Sequence, residues 1–364
     1  MNAPKLRFKE FKDDYIKLRY KDVLKIKSGK DQKQVEDKNG KYPILGTGGQ
    51  IGKTNSFLYD KPSVLIGRKG TINKPQYMES PFWTVDTLFY SHIYEPNIPK
   101  YLFYSFQNVN WKKYDESTGV PSLSSSTIES VECSIPSPNE QIKVANFLSL
   151  LDKKIELQTK KIEDLKLFKL YMENQFIFKD DASYIEYKLR DILIEGNKTP
   201  VADTSKYQKL TIKLNLKGLE FNESQKEMSD KRPFYVRDEN ELIIGKQNYF
   251  NGSIAIVNKK YAGGICSNAI MSFKAKDGFD IKYIYLYLSQ KSYMKQREFL
   301  ANGTGQKELS EKEFLNFSIR IPSDNKVKKI IKNVNCISKK ILLEENKLNK
   351  LIELKRGLMQ DMFV

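Results

Sequence analysis

Two short loops of this 364-residue chain are rich in cationic and amide side chains. The first follows the apolar segment 63–67 and surrounds Gly70 with Arg68, Lys69, Thr71, Asn73 and Lys74. The second follows segment 241–245 and surrounds Gly252 with Lys246, Gln247, Asn248 and Asn251, and Lys213 is a further candidate in the same half. Arginine and lysine bind phosphate or guanine, whereas asparagine and glutamine can pair with adenine. We interpret the loops as two DNA-reading surfaces of different specificity; the alternative is a pair of ordinary solvated hairpins.

A glycine-rich turn precedes the first loop. Gly52-Lys53-Thr54 matches the end of a Walker A motif, but the opening glycine of that motif would fall on Thr47. The segment also has no convincing acidic strand for magnesium and no counterpart in the second half, which argues against nucleotide hydrolysis. Two interpretations remain: a tight hairpin in which Gly48 and Gly49 adopt positive φ, or a loop that approaches DNA phosphates. The second would add these DNA-binding candidates: Thr47, Gly48, Gly49, Lys53 and Thr54.

Catalytic chemistry has little support in the sequence. The single histidine, His92, falls in a predicted strand and suggests a structural role. Glu186-Tyr187-Lys188 matches the Glu-x-Lys of nucleases, but so short a pattern is common by chance. We find no glycine-rich fingerprint for S-adenosylmethionine and no motif of the kind that methyltransferases place around a target base. The isolated cysteines, Cys133, Cys266 and Cys336, predict a reduced protein with neither a disulfide framework nor a zinc site. We expect a binding protein without a metal.

The chain that carries these loops repeats itself. Residues 118–178 align with residues 304–364 without a gap, with 16 identities in 61 positions. Thr118-Gly119 returns as Thr304-Gly305. Ile-Pro-Ser stands at both 135–137 and 321–323. The two halves also begin alike, because Lys-Leu-Arg stands at both 17–19 and 188–190. A fixed offset over that length indicates an internal duplication.

Each repeat ends in a predicted long helix. No glycine or proline interrupts 139–178, and apolar residues recur with a seven-residue period in both copies, which is typical of a coiled coil. In order, the two sets are Leu148, Leu151, Ile155, Ile162, Leu165, Met172 and Phe176, then Val334, Ile337, Ile341, Leu348, Leu351, Leu358 and Met362. Both sets are broken at equivalent places by polar residues, Gln158 with Glu344 and Lys169 with Lys355. We predict that the helices pair with each other; the alternative is that each packs on its own domain.

The charge points to a polyanionic partner. The net charge is +17 and the pI is about 9.4, which favours nucleic acid. Residues 1–138 hold 21 Lys and Arg against 15 Asp and Glu, and residues 179–322 hold 24 against 19, so both halves are basic. A proteome rich in lysine would be the trivial alternative. No stretch reaches the length of a membrane span, and we expect a soluble cytoplasmic protein that does not bind a membrane.

The remaining patterns predict a mixed strand-and-helix domain in each half. Runs of β-branched and aromatic residues predict strands at 63–67, 83–90, 241–245 and 269–273. An aromatic helix follows each sheet, where Ile98, Tyr101 and Leu102 match Ile284, Tyr287 and Leu288. We therefore divide the chain into a first domain 1–138, a first helix 139–178, a second domain 179–322 and a second helix 323–364.

Several of these segments together carry a family resemblance. They are Leu-Ile-Gly-Arg-Lys-Gly at 65–70, the segment 83–90, the Thr-Gly and Ile-Pro-Ser marks of both repeats, and Asn-Glu-Gln-Ile at 139–142. On these residues the chain resembles the specificity subunit of a type I restriction-modification system over essentially its whole length. The second copy departs from the last mark, with Asn-Lys-Val-Lys at 325–328. The resemblance implies an α+β fold: two pseudo-repeated α/β target-recognition domains separated by a pair of long antiparallel coiled-coil helices.

The resemblance also implies a function without a catalytic residue in this chain. Each domain would read one half of a bipartite target in double-stranded DNA, and the helix pair would set the spacer between the halves. Similar subunits bind two modification subunits, which use S-adenosylmethionine to methylate adenine at N6, and restriction subunits that act as motor and nuclease. S-adenosylmethionine, ATP and Mg²⁺ would then be bound by the partners and no cofactor by this chain. Exposed helix faces that include 153–154 and 339–340 are candidates for contact with the modification subunits, unless they are solvated charge.

Two other classes of protein stay open at this point. One is a DNA-binding enzyme, a methyltransferase or nuclease with its own recognition module, which would turn over DNA unaided. The other is a coiled-coil scaffold whose basic surface is incidental, in which case neutralising the lysines and arginine of the loops would leave DNA affinity unchanged.

Overall fold

A computed structural model describes residues 3–79, 81–177, 183–222, 232–300 and 308–364. By compactness the chain forms two units, which we call the first unit (Met1–Ile162 with Glu344–Val364) and the second unit (Glu163–Leu343). Each unit therefore contains one globular part and portions of both long helices. The linear domain boundaries at 138, 178 and 322 stay a prediction.

The first unit is built on three sheets. Its strands are β1 (Ile16–Arg19), β2 (Leu24–Lys27), β3 (Tyr42–Gly46), β4 (Gly49–Thr54), β5 (Ser63–Gly67), β6 (Gln76–Met78), β7 (Trp83–Thr84), β8 (Leu88–Ile93) and β9 (Glu132–Ile135), and its helices are α1 (Tyr20–Val23), α2 (Pro99–Asn108), α3 (Ser125–Ser130) and the first part of α4 (Pro138–Ile177). The strands are ordered β2-β8-β5-β6 in the main sheet, β4-β3-β7 in a smaller sheet and β1-β9 in a ribbon.

The second unit repeats this plan. Its strands are β10 (Ile185–Lys188), β11 (Leu193–Glu195), β12 (Leu210–Ile212), β13 (Leu219–Phe221), β14 (Phe234–Val236), β15 (Leu242–Gly245), β16 (Ile254–Ile256), β17 (Ile265–Ser267), β18 (Ile270–Ala275) and β19 (Ser318–Ile321), and its helices are α5 (Leu189–Ile192), α6 (Ile281–Leu288), α7 (Lys291–Arg297), α8 (Glu311–Leu315) and the first part of α9 (Asp324–Met362). The main sheet is β11-β18-β15-β16, the same arrangement as in the first unit.

Both main sheets are centred on a strand that is covered on its two faces. In β5, Val64 and Ile66 belong to one apolar cluster and Leu65, which points to the other face, belongs to another. In β15, Leu242 and Ile244 belong to the core of the second unit and Ile243 lies in a separate cluster. A continuous apolar run is what burial on both faces requires, so the strands predicted at 63–67 and 241–245 are confirmed.

The strand predicted at 83–90 is wrong in one respect, because the segment forms two strands in different sheets. β7 pairs in parallel with β3, whereas β8 lies between β2 and β5 in the main sheet. The chain turns between them: the amide of Val85 donates to the carbonyl of Leu45 at 3.0 Å, and the amide of Leu88 donates to the carbonyl of Val85 at 2.9 Å. The strand predicted at 269–273 and the aromatic helices are confirmed as β18, α2 and α6.

The two long helices are confirmed, and the beginning of each packs on its own globular part. Leu148 in α4 and Val334 in α9 are both fully buried in the main core of their own unit. The predicted contact of these two residues with the other long helix stays a prediction; the cluster that contains Leu148 also contains Met359 and Met362 of α9. The end of α9 lies in the core of the first unit, where Met359, Met362 and Phe363 join the cluster and Leu358 packs against it.

The helices run antiparallel where they meet within the first unit. Gln158 Nε2 donates to Glu344 Oε2 at 2.8 Å, and farther along each helix Lys355 Nζ lies 2.6 Å from Asp152 Oδ1. Of the predicted contact residues in this unit, Ile162 is buried and four others are half-buried: Leu151, Ile155, Leu348 and Leu351. In the second unit Ile341 is buried, whereas Leu165, Met172 and Ile337 are half-buried. The side chain of Phe176, the helix end at Phe178 and the Thr304-Gly305 mark lie outside the described residues.

Glu344 is held by cations and an amide at this meeting point. Gln158 donates to it, Lys161 Nζ lies 2.9 Å from its Oε1, and Lys347 Nζ lies 3.3 Å away. These hydrogen bonds, that from Gln158 first, lower the pKa of Glu344 from 4.5 to about 2. The carboxylate is therefore charged over nearly the whole pH range in the folded chain.

We predict that Phe363→Ala loosens the first unit selectively. The ring is 8% exposed and stacks on Tyr101 with centroids 5.3 Å apart. Loss of a buried phenylalanine costs about 3 kcal/mol. Hydrogen exchange of the α2 amides should show that loss while the α6 amides are unchanged. Val364→Ala, at a residue that is 57% exposed, is the matched control; equal effects of the two changes would contradict the packing.

We also predict a pH-dependent contribution from Glu344. Because its pKa is lower folded than unfolded, the stabilisation is complete above about pH 4.5 and is lost as the pH falls through about 2. Glu344→Gln should lower the thermal midpoint at pH 7, and most of the difference from the parent chain should be gone at pH 2, where the folded carboxylate is about half protonated. Glu353→Gln, at an exposed position of the same helix, should change neither. A difference at pH 2 as large as that at pH 7 would show that charge is not the cause.

Candidate DNA interface

The loop from β5 to β6 has a fixed backbone and free side chains. The amide of Arg68 donates to the carbonyl of Thr87 at 2.8 Å, and its carbonyl accepts from the amide of Leu123 at 2.9 Å. Gly70, at φ +86°, donates to the carbonyl of Pro121 at 2.8 Å. The candidate side chains are exposed at Arg68, Lys69, Asn73 and Lys74 and half-exposed at Thr71. This is the preorganisation that a recognition surface needs, because binding then orders few backbone torsions.

The glycine-rich turn lies beside this loop. It is the tip of the β3–β4 hairpin, and only Gly49 has positive φ, at +112°, so the prediction for Gly48 is wrong. Gln76, at the end of the loop, donates its side-chain amide to the carbonyls of Gly46 at 3.0 Å and Thr47 at 3.3 Å. The structure thus brings Thr47, Gly48 and Gly49 together with the loop around Gly70 as one surface. Sequence reasoning missed Gln76, because nothing in its neighbourhood marks a side chain that bridges two loops.

The other two residues of the glycine-rich segment lie apart from this surface. Thr54 is fully buried and its hydroxyl accepts from the amide of Ser56 at 3.0 Å, so its role is structural and the DNA assignment is corrected. Lys53 is exposed, but it lies at the far end of β4, opposite Pro43.

The segment that anchors the first loop is organised by two carboxylates. Asp115 accepts from the amides of Ser122 and Ser117, and these bonds lower its pKa. Glu116 accepts from the hydroxyls of Thr127 and Ser124, which lower its pKa likewise. The bonds of both carboxylates lie within segment 115–127, so they fix the shape of that segment, and the amide of Gly70 ties it to the loop through the carbonyl of Pro121. Within the described residues, Arg68, Lys69 and Lys74 form no ion pair with these or other carboxylates.

The loop from β15 to β16 is anchored in the same way. The amide of Lys246 donates to the carbonyl of Ala269 at 3.0 Å, and its carbonyl accepts from the amide of Leu309 at 2.9 Å. A short 3₁₀ turn follows, in which the buried Tyr249 donates its hydroxyl to the carbonyl of Leu288 at 2.9 Å. Gln247, Asn248 and Asn251 are exposed, and Lys246 is half-buried. The two predicted loops therefore occupy the same topological position.

The second unit also has a turn beside its loop, although the sequence predicted no counterpart of the glycine-rich turn. The turn between β12 and β13 stands in the same place in the chain order, and Asn215 and Leu216 donate their amides to the carbonyls of Asn251 at 2.8 Å and Gly252 at 3.1 Å. Both donors have positive φ without being glycine, which is why the turn was missed. Lys213 begins this turn and forms an ion pair with Glu220, so its charge is compensated locally.

Groups that could support catalysis are held in structural roles. His92 lies in β8 and its Nδ1 is 3.1 Å from the hydroxyl of Tyr59. Burial raises the pKa of Cys133 to about 12 and that of Cys266 to about 11, which disfavours a nucleophilic thiolate. Glu186 is paired in register with Arg320 in the β10–β19 ribbon. In the part of the chain that the structure describes, no three His, Cys, Asp or Glu side chains are grouped as for a metal ion, and no helix has the length and apolarity to span a membrane.

Two units with one plan, each presenting a donor-lined loop at the same place, can be compared with known families. The model of the type I restriction modification DNA specificity domain matches residues 12–167 and again residues 183–354. The chain belongs to this family. The resemblance seen in the sequence is thereby confirmed, as is an α+β fold with two copies of the domain and long helices between them.

Sequence identity to individual relatives is low. The specificity subunit of the Escherichia coli type I restriction enzyme EcoDI is 24% identical over 148 residues, which is 40% of this chain and 32% of that protein. The chain thus matches about a third of that relative's length. The crystal structure of the S subunit of a type I restriction-modification system from M. genitalium superposes with a TM-score of 0.66 at 16% identity, over 100% of this chain and 99% of the other. A structure from work on assembly and conformational transition of the type I system gives 0.55 at 11%, over 95% and 96%. These structures support the fold.

Gly252 lies close to the β12–β13 turn, and we predict that this contact requires glycine. Gly252 has φ +76°, and a Cβ there would lie 2.9 Å from the amide nitrogen of Leu216. Gly263 has a similar φ of +84°, but open space surrounds it. Gly263→Ala should therefore cost about 1 kcal/mol from backbone strain alone, whereas Gly252→Ala should cost more. Exchange of the Leu216 amide, which bonds the Gly252 carbonyl, should accelerate only in the second variant. Equal destabilisation by the two changes would contradict a tight contact.

Proposed function

We propose that this chain is the non-catalytic DNA-recognition subunit of a type I restriction-modification complex. One observation carries the proposal: the specificity domain occurs twice, and each copy presents a loop at the same topological position with different side chains. Duplicated scaffolds with unlike loops suit a bipartite target whose two halves differ in sequence. The first loop, with Arg68 and Lys69, offers donors for guanine or phosphate, and the second, with Gln247, Asn248 and Asn251, offers amides for adenine.

The long helices would set the distance between the two half-sites. A helix is a stiff spacer with a rise of about 1.5 Å per residue, and access to the major groove recurs about every 34 Å along DNA. Support for this role comes from the polar pairing of Gln158 with Glu344, since a polar contact within an apolar seam fixes the register of paired helices. A fixed register would give a fixed spacer.

The chemistry would belong to partners. Two modification subunits would bind S-adenosylmethionine and methylate adenine at N6, and restriction subunits with ATP and Mg²⁺ would cleave unmodified DNA. Lys153, Lys154, Lys339 and Lys340 are exposed on the helices and suit contact with an acidic partner surface. Because its substrate would be cellular DNA, the complex would act in the cytoplasm.

The proposal predicts a two-part methylation motif. The chain is co-expressed with its modification subunit in a host that lacks N6-methyladenine, and the modified adenines are mapped. We expect a motif of two short halves with a fixed gap. Exchange of residues 1–138 for those of another specificity subunit should change one half only, and exchange of residues 179–322 should change the other half.

Two outcomes would overturn the proposal. The first is absence of methylation from a complex that is stable and whose modification subunit binds S-adenosylmethionine. The second is turnover of DNA by the purified chain alone with Mg²⁺ or S-adenosylmethionine, which would favour an enzyme.

A further inference from the structure

The two loops can be compared residue by residue at their first position. Arg68 and Lys246 each follow the central strand of the main sheet, and each accepts at its carbonyl from a leucine amide at 2.9 Å, from Leu123 and Leu309 respectively. Immediately after each leucine comes a helix with a serine N-cap, Ser124 before α3 and Ser310 before α8. The first residue of α3 is Ser125 and the first residue of α8 is Glu311. A neutral side chain thus stands in one unit where a carboxylate stands in the other.

Glu311 forms ion pairs with two lysines of the second unit. Glu311 Oε2 lies 2.8 Å from Lys198 Nζ, and its Oε1 lies 3.6 Å from Lys246 Nζ. Lys198 is also 2.8 Å from Glu195. The side chains of Lys246 and Glu311 are only 21% and 29% exposed, so this attraction is screened less than that of a pair in open water. Burial disfavours the charge of Glu311, but Lys198 and Lys246 outweigh it and the pKa is lowered, so the carboxylate is ionised at neutral pH.

The ion pairs border a polar cleft. Lys198, Lys246 and Glu311 line it together with Asn197, Asn268 and the buried Arg237, and its volume is about 210 Å³. A phosphate that approached these cations would have to compete with a carboxylate already in place. In the first unit Arg68 is exposed and, among the described residues, forms no ion pair, so a phosphate would meet no such competitor there.

We propose that Glu311 is a specificity-determining residue that, together with Glu195, neutralises Lys246 and Lys198 and so suppresses sequence-independent binding of DNA phosphates by the second unit. This inference rests on the proposed function in DNA recognition. Phosphate contacts raise affinity for every sequence equally, so they add nothing to discrimination. A compensated lysine engages DNA only where the surrounding contacts repay the broken ion pair, and the amides of Gln247, Asn248 and Asn251 then carry the reading.

The test measures non-specific affinity of the full chain for a 40-base-pair duplex of mixed sequence, as a function of salt. Glu311→Gln keeps the shape of the side chain and removes its charge, and Glu311→Ser introduces the residue of the first unit. Both should bind at least about threefold more tightly at low salt, the range of a partly exposed charge pair. The slope of log K against log salt should steepen by about 0.9 for each lysine released to a phosphate. Glu239→Gln, an equal change of charge at an exposed turn of the same unit, controls for net charge.

The reciprocal change is made in the first unit. Ser125→Glu places a carboxylate at the equivalent position near Arg68, and it should weaken binding and flatten the salt slope. In the complex with the modification subunit, Glu311→Gln should also extend methylation to sites with mismatches in one half of the motif. Thermal unfolding checks that each variant is folded, and two different substitutions at position 311 guard against a misfolded one.

The result that overturns the inference is distinct from the failure of the proposed function. If Glu311→Gln and Glu311→Ser bind like Glu239→Gln while Arg68→Gln with Lys69→Gln binds more weakly, Glu311 has no such role and DNA recognition stands. If the double change at 68 and 69 also leaves affinity and slope unchanged, DNA recognition through these loops is itself wrong, and the inference fails with it.

Discussion

The hydrogen bond between Gln158 and Glu344 joins two residues that occupy equivalent positions in the two repeats. In two antiparallel helices that derive from one sequence, equivalent residues can face each other only at a single point, and these two are 186 positions apart. Identical residues there would give either two repelling carboxylates or two amides. The unlike pair gives a directed, charge-assisted bond, and Lys161 and Lys347 offset the desolvated charge. Every other contact of the seam depends on the register that this pair selects.

The strands β5 and β15 fix the starting points of the two loops that follow them, the β5–β6 loop and the β15–β16 loop. β5 and β15 are buried on both faces, so a shift in register by one residue would move their apolar side chains out of one packed cluster and into another. Each loop therefore starts at a defined point and is tied by one hydrogen bond to the following leucine, Leu123 or Leu309. The loop backbones are held by backbone hydrogen bonds and by side chains other than the candidate donors, such as Gln76 and Tyr249. The exposed side chains are thus free to differ between the units at little cost in stability, which is how one fold can serve two specificities.

The sequence predicted the features that follow from residue periodicity or composition. It missed those that depend on contacts between residues far apart in the chain. The repeat, the two long helices and the central strands follow from apolar spacing. Spacing indicates that Leu148 and Val334 are buried but not which residues surround them; each lies in the apolar core of its own unit. The fully buried Thr54 looked like a phosphate ligand because only the fold reveals its burial. The positive φ of Asn215 and Leu216 leaves no mark in the residue types, so the turn beside the second loop was invisible.

Net charge is a poor guide to where this chain would hold DNA. The charge of +17 is spread over both halves, yet in the second unit Lys213 is paired with Glu220, Lys246 with Glu311 and Lys274 with Asp238. In the first loop the cations stand exposed on a backbone that is already ordered. Exposed charge gives attraction to any duplex, whereas compensated charge favours only a site that offers better partners. Under the proposed function, exposed charge would serve the search along DNA and compensated charge the choice of half-site, and a duplicated scaffold would allow each half to supply one.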